Sequence, residues 1–143
     1  MPTPLVQALG GLVIFYIGLK LFSGGMKAMG KLEHLEFFIH NPYWMFLGGI
    51  VCTLLWQSSS LSTTAIIGLV ASGALPLPSA IAAVLGANIG TTGTIWLAGV
   101  MVSDGMPTGI TRQIAIVHTS VNLFMALTLL PFIQPIARFV SRF

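Results

Sequence analysis

At 143 residues, with 55% apolar and only 6% charged side chains, the chain lies far below the roughly 25% charged fraction of a soluble domain. Its net charge of +3 comes from six Lys+Arg and three Asp+Glu. The basic residues cluster at the ends of apolar runs, where headgroups lie, and form no aromatic-flanked stripe, so nucleic acid is excluded as a partner. The single cysteine, Cys52, excludes a disulfide framework within one chain.

The composition predicts one all-α integral membrane domain over 1–143, in a multi-pass arrangement in the cell membrane. Met1 to Gln7 carries no basic residue and the first lysine, Lys20, follows the apolar run, so a cleavable signal is not expected. Residues 5–22 read as a first span, with Gly10, Gly11 and Gly18 open to close helix contact and Gly24-Gly25 expected to break it. Residues 26–39 put Met26, Met29, Leu32, Leu35, Phe38 and Ile39 on one side, and mostly Lys27, Lys31, Glu33, His34 and Glu36 on the other. That pattern suits a helix lying in the membrane interface.

Asn41-Pro42 ends that helix, and Tyr43 and Trp44 anchor the next segment. From there to Trp56 the chain could make about 20 Å of helix, short of the ~30 Å hydrocarbon core. Leu61 to Leu75 is similarly short. Between the two lies Gln57-Ser58-Ser59-Ser60-Leu61-Ser62-Thr63-Thr64. Two half-length helices meeting at a polar tip predict a re-entrant hairpin over 43–75, based on Pro42 and Pro76-Leu77-Pro78. The competing arrangement is one helix from Met45 to Ala71 with its hydroxyls bonded to its own carbonyls.

Residues 79–102 form the next span. Ser79, Ala83, Gly86, Gly90 and Gly93 make a small-residue stripe for helix packing, but Asn88, Thr91, Thr92 and Thr94 exceed what packing needs. A polar break with partial unwinding is expected there. The stretch lacks the Gly-Lys-Ser/Thr ending of a nucleotide phosphate loop. Ser103 to Pro107 reads as a turn and 108–131 as the last span, with Arg112, Ala115, His118, Thr119, Asn122 and Ala126 on one inward face. Gln134 to Phe143 is a short tail at the interface. With the hairpin re-entering, Lys20, Lys27, Lys31, Arg138 and Arg142 share one side and Arg112 stands on the other, which puts the larger set in the cytoplasm.

The three acids, Glu33, Glu36 and Asp104, all fall in connecting segments. Proton coupling through a membrane carboxylate is therefore not expected on this chain. A cation would be held by neutral oxygens, which suits Na⁺. An anion would be held by hydroxyls and by backbone N–H groups where the second half-helix begins, at Ser58 to Ser60. An intramembrane serine hydrolase pairing these serines with His118 lacks an acid to orient the histidine. The other open readings are a passive small-anion channel or carrier, and a non-transporting structural subunit. Each Ser or Thr alone would more simply bond its own helix, and His118 alone would more simply be a packing residue.

Gln57-Ser58-Ser59-Ser60 with Thr63-Thr64, followed by Gly86-Ala87-Asn88-Ile89-Gly90-Thr91-Thr92, resembles the type II sodium-dependent phosphate cotransporters. Gly18-Leu19, Phe22, Gly25-Met26, Asn41-Pro42 and the series Arg112, Ala115, His118, Asn122 agree with it in order. The resemblance implies Na⁺-coupled symport of inorganic phosphate, no enzyme activity, and no cofactor beyond Na⁺ as coupling ion. It implies that Gln57, Ser58, Ser59 and Ser60 contact phosphate. Na⁺ would be held by Gln57, Ser60, Thr63, Thr64, Asn88, Thr91 and Thr92. His118, Asn122 and Arg112 would support the site from outside it. Family members carry the motif twice, in two inverted repeats, and this chain carries it once. The expectation is a homodimer with an inverted, antiparallel second copy. A partner subunit of opposite topology and a parallel dimer are the alternatives.

Overall fold

A computed structural model describes residues 3–28, 36–102, 105 and 108–143. Seven α-helices follow one another: α1 Pro4–Ala28, α2 Glu36–His40, α3 Pro42–Trp56, α4 Ser59–Ala71, α5 Leu77–Val102, α6 Gly109–Leu129 and α7 Ile133–Val140, with one 3₁₀ turn at Leu130–Phe132 joining the last two. Three stretches are long and apolar enough to cross a membrane: Pro4–Phe22, Leu77–Met101 and Gly109–Val140.

α5 is the centre of the packing. On one side α3 runs parallel to it in backbone contact. A Cβ added at Gly49 would lie 2.1 Å from the Ala83 carbonyl oxygen, and one at Gly86 would lie 2.0 Å from that of Phe46. Gly90 is equally tight against Thr53, and Gly93 against Leu54. The small-residue stripe thus faces α3, as packing requires. α4 returns antiparallel to α3, so that Met45 near the start of α3 packs in one cluster with Ile66, Leu69 and Val70 of α4 and Ala80 and Ala83 of α5. α7 folds across the same end of α5, with Ile133 against Ala82 and Leu85.

The segment 43–75 is two helices and not one, because α3 stops at Trp56 and α4 starts at Ser59. α3 opens with Asn41 as N-cap, its side chain accepting from the Tyr43 N–H, and with Pro42 in the first turn, where a missing N–H costs nothing. At 15 residues it is about 22 Å long. Its end lies beside Gly90 and Gly93, in the middle third of α5, so the chain turns back well short of Val102.

Several expectations change. Gly24-Gly25 does not break the first helix, which runs on to Ala28. In apolar surroundings an opened helix would strand backbone groups, a larger cost than glycine's weak propensity. Gly10, Gly11 and Gly18 meet nothing within 4 Å, so they make no close contact inside this chain. Of the interfacial helix expected at 26–39, residues 29–35 lie outside the described residues, 26–28 belong instead to the end of α1, and 36–39 fall in the short α2. The break expected near Asn88 is absent, since α5 is helical from Leu77 to Val102. The tail is a helix, and Pro135 fits it because it stands in the first turn.

The α3–α5 contact yields a stability prediction. Gly86→Val should destabilise the protein by about 1–3 kcal/mol or more through overpacking against the Phe46 carbonyl. Gly48→Ala, with open space around it, should be near neutral. Thermal unfolding in detergent would compare them.

Candidate functional site

The polar tip is built by the way α3 ends and α4 begins. Gln57 caps α3 in the left-handed conformation (φ 52°, ψ 27°), the one non-glycine residue with positive φ among those described. That conformation costs a side-chain-bearing residue about 1–2 kcal/mol. Its N–H donates to the Thr53 carbonyl at 2.8 Å, and its Nε2 donates to the Leu54 carbonyl. Ser58 is the N-cap of α4 in extended conformation, and its Oγ accepts the Leu61 N–H at 3.2 Å. The Ser58 carbonyl accepts both the Ser62 N–H at 3.1 Å and the Ser62 hydroxyl at 3.0 Å. Ser62 Oγ in turn accepts from Thr53 Oγ1 at 2.7 Å. Thr53 and Ser62 are both buried.

Ser58 is thus committed to the turn. The first N–H groups of a helix have no intrahelical partner, so those of Ser59 and Ser60 remain open where the dipole of α4 is positive. The Ser59 and Ser60 hydroxyls make no hydrogen bond among the described residues; Ser59 is half-buried and Ser60 exposed. Thr63 is half-buried. Thr64 faces another way, into a groove of about 400 Å³ shared with Phe15, Leu19 and Phe22 of α1.

The second polar stretch lies on α5. Thr91 Oγ1 donates to the Ala87 carbonyl at 2.9 Å and Thr92 Oγ1 to that of Ile89 at 2.6 Å, which keeps the helix closed. Their oxygens keep lone pairs for a cation. Asn88 is exposed. It lies about 200° round the helix from Gly86, on the side away from α3. No hydrogen bond joins the Gln57–Ser60 tip to Asn88, Thr91 or Thr92.

On α6, Asn122 Nδ2 donates to the Asn88 backbone carbonyl at 3.2 Å and lies 3.2 Å from His118 Nδ1. Ala115 and Ala126 are buried and His118, Thr119 and Asn122 half-buried, so the expected inward face is largely present. Arg112 is exposed and stands apart from this group. Trp96 Nε1 donates to Thr119 Oγ1 at 3.0 Å, a second polar link between α5 and α6. No His, Cys, Asp and Glu cluster suited to a transition metal occurs among the described residues.

This arrangement, an uncharged hairpin tip with open donors beside a threonine-rich span, coincides with a match of residues 14–134 to the Na⁺/Pi-cotransporter family. The chain belongs to that family. It is 36% identical over 130 residues to sodium-dependent phosphate transport protein 2A of Rattus norvegicus, covering 86% of this chain and 20% of the relative. It is 33% identical over 133 residues to protein 2B of Homo sapiens, covering 89% and 19%. A bacterial relative, the uncharacterized protein YqeW of Bacillus subtilis, is 36% identical over 87 residues, covering 58% and 28%. No solved structure matches the chain. The chain spans about a fifth of the length of the mammalian relatives it matches. It is a multi-pass protein of the cell membrane, and the relatives with a named activity are transporters rather than enzymes.

Sequence reasoning placed Thr119 on the inward face of the last span but did not single out Thr53 or Trp96. Thr53 was legible only as the lone hydroxyl in the uncharged run from Trp44 to Trp56, one helical turn before Gln57. The cap predicts that Ser58→Ala weakens the first turn of α4 by about 1 kcal/mol, while Ser58→Asn retains most of it. Amide exchange at Leu61 and Ser62, faster in the alanine variant only, would report this.

Proposed function

We propose that this chain supplies one repeat of a sodium-coupled phosphate symporter, with two inverted copies enclosing one site. The reading is carried by the start of α4, where two open N–H groups and two open hydroxyls, of Ser59 and Ser60, converge in an uncharged hairpin tip. Oriented N–H and O–H donors bind an anion without a fixed positive charge, which lets it leave again. Gln57 and Ser58 complete the phosphate-contacting turn, Ser58 mainly by holding its shape.

Coupling follows from charge. Among the described residues no carboxylate or lysine stands at the tip, so a bound phosphate there would be an uncompensated anion in a poorly hydrated site. Na⁺ at the neutral oxygens of Gln57, Ser60, Thr63, Asn88, Thr91 and Thr92 would balance it, and each ion would raise the affinity for the other; Thr64, turned into the groove beside α1, stands outside this set. His118 and Asn122 would support Asn88 through its carbonyl. Arg112 would lie outside the site.

The hairpin is read as re-entrant because α3 is about 22 Å long and turns back beside the middle third of α5. Gln57, Ser60 and Asn88 are exposed at that depth, where lipid cannot solvate them. A second copy, inverted so that its own tip faces the first, would cover them and supply the opposite half of the site.

The test is phosphate uptake into proteoliposomes containing only this chain, with and without an inward Na⁺ gradient. Uptake should require Na⁺, and arsenate, which matches phosphate in charge and shape, should compete. Ser59→Ala should lower phosphate affinity by roughly ten- to a hundredfold, the loss of one hydrogen bond to a charged group. Gln57→Ala should abolish uptake without preventing membrane insertion. Uptake independent of Na⁺ would mean a passive anion pathway. No uptake by folded chain would mean that another subunit completes the site.

A further inference from the structure

We propose that Thr53 and Ser62 are positioning residues, a buried hydroxyl pair that ties the end of α3 to the first turn of α4 and sets the aim of the Ser59 and Ser60 donors. The inference rests on the function proposed above and assigns it two residues that contact neither ion.

Thr53 is fully buried, and Ser62 is 2% exposed. A threonine in an apolar helix ordinarily returns its hydroxyl to a carbonyl of its own preceding turn. Thr53 instead sends its proton across the hairpin to Ser62 Oγ, at 2.7 Å. Ser62 passes its own proton to the Ser58 carbonyl at 3.0 Å. The proton order is consistent throughout, since each hydroxyl donates once and Ser62 accepts once. The Thr53 carbonyl meanwhile accepts the Gln57 N–H at 2.8 Å. One residue therefore holds both sides of the turn, Gln57 through its backbone and Ser58 through the hydroxyl relay.

This is the one side-chain hydrogen bond between α3 and α4 among the described residues. Thr53 is itself fixed from behind, because a Cβ at Gly90 would come within 2.6 Å of Thr53 Cβ. The tip is thus referenced to α5 through Gly90, Thr53, Ser62 and Ser58 in turn. Filling space does not explain the pair, since valine would fill the position of Thr53 without burying a hydroxyl.

The chemistry permits a clean test. In Thr53→Val the side-chain shape is kept and Ser62 still donates to the Ser58 carbonyl, so no buried donor is orphaned. In proteoliposomes, Thr53→Val should raise the KM for phosphate and for Na⁺ by about three- to tenfold, the range set by one positional hydrogen bond. Thr53→Ser should restore both. Ser62→Ala should resemble Thr53→Val, and the double variant should be no worse than either alone. A Thr53→Val chain with wild-type KM values, or a Thr53→Ser chain as impaired as Thr53→Val, would overturn the proposal.

A second readout does not depend on transport. A spin label at Ser60→Cys, in a Cys52→Ala background of the full chain in lipid nanodiscs, should gain mobility with Thr53→Val and not with Thr53→Ser. Equal mobility in both would overturn the positioning role even if uptake by the unsubstituted chain fails. Failure of that uptake alone would refute the transport reading and leave the spin-label result to decide this one.

Discussion

A hydroxyl or amide midway along an apolar helix has no water to turn to, and the chain is organised by how it meets that constraint. Thr91, Thr92 and Thr119 bond carbonyls of their own helices. Thr53, Ser58 and Ser62 bond one another across a turn. Trp96 and Asn122 reach between helices. Ser79 Oγ is the exception, a buried side-chain oxygen with no partner among the described residues. Open hydroxyls also occur at Thr94, Ser120 and Thr128, but those of Ser59 and Ser60 stand beside the unpartnered N–H groups at the start of α4, which sets that turn apart.

The hairpin and the inward face of α6 were legible in the sequence for related reasons. Gln57 to Ser60 interrupts two uncharged runs each too short to span, and a polar interruption of that length forces a turn. Ala115, Thr119, Asn122 and Ala126 recur at helical spacing, which places small and polar groups on one line. The expected break at Asn88 failed because glycine and asparagine weaken a helix only where water or another partner can take the freed backbone groups. Here the two threonines bond back to the helix and the glycines sit against α3, so the unbroken form wins. The turn of Asn88 away from α3 could have been counted from its distance to Gly86. The role of Thr53 could not, since a single threonine in an apolar run gives no sign of where its proton goes.

The charged residues keep to the edges of this scheme. Arg112, Arg138 and Arg142 are exposed, and Lys20 lies 5.2 Å over the ring of Tyr16. Arg138 and Arg142, on and just beyond α7, fall at the end of α5 from which the hairpin rises, since Ile133 packs on Ala82 and Leu85. Among the described residues no charged side chain is buried. An ion entering the tip would carry the dominant local charge.

The close fit of α3 on α5 has a mechanical side. Gly86, Gly90 and Gly93 admit the backbone of α3 at a few fixed positions, and between them a side chain or carbonyl would collide. α3 cannot slide smoothly along its neighbour. It can only stay or jump by one glycine spacing, roughly 6 Å for four residues. These two helices form a single strut.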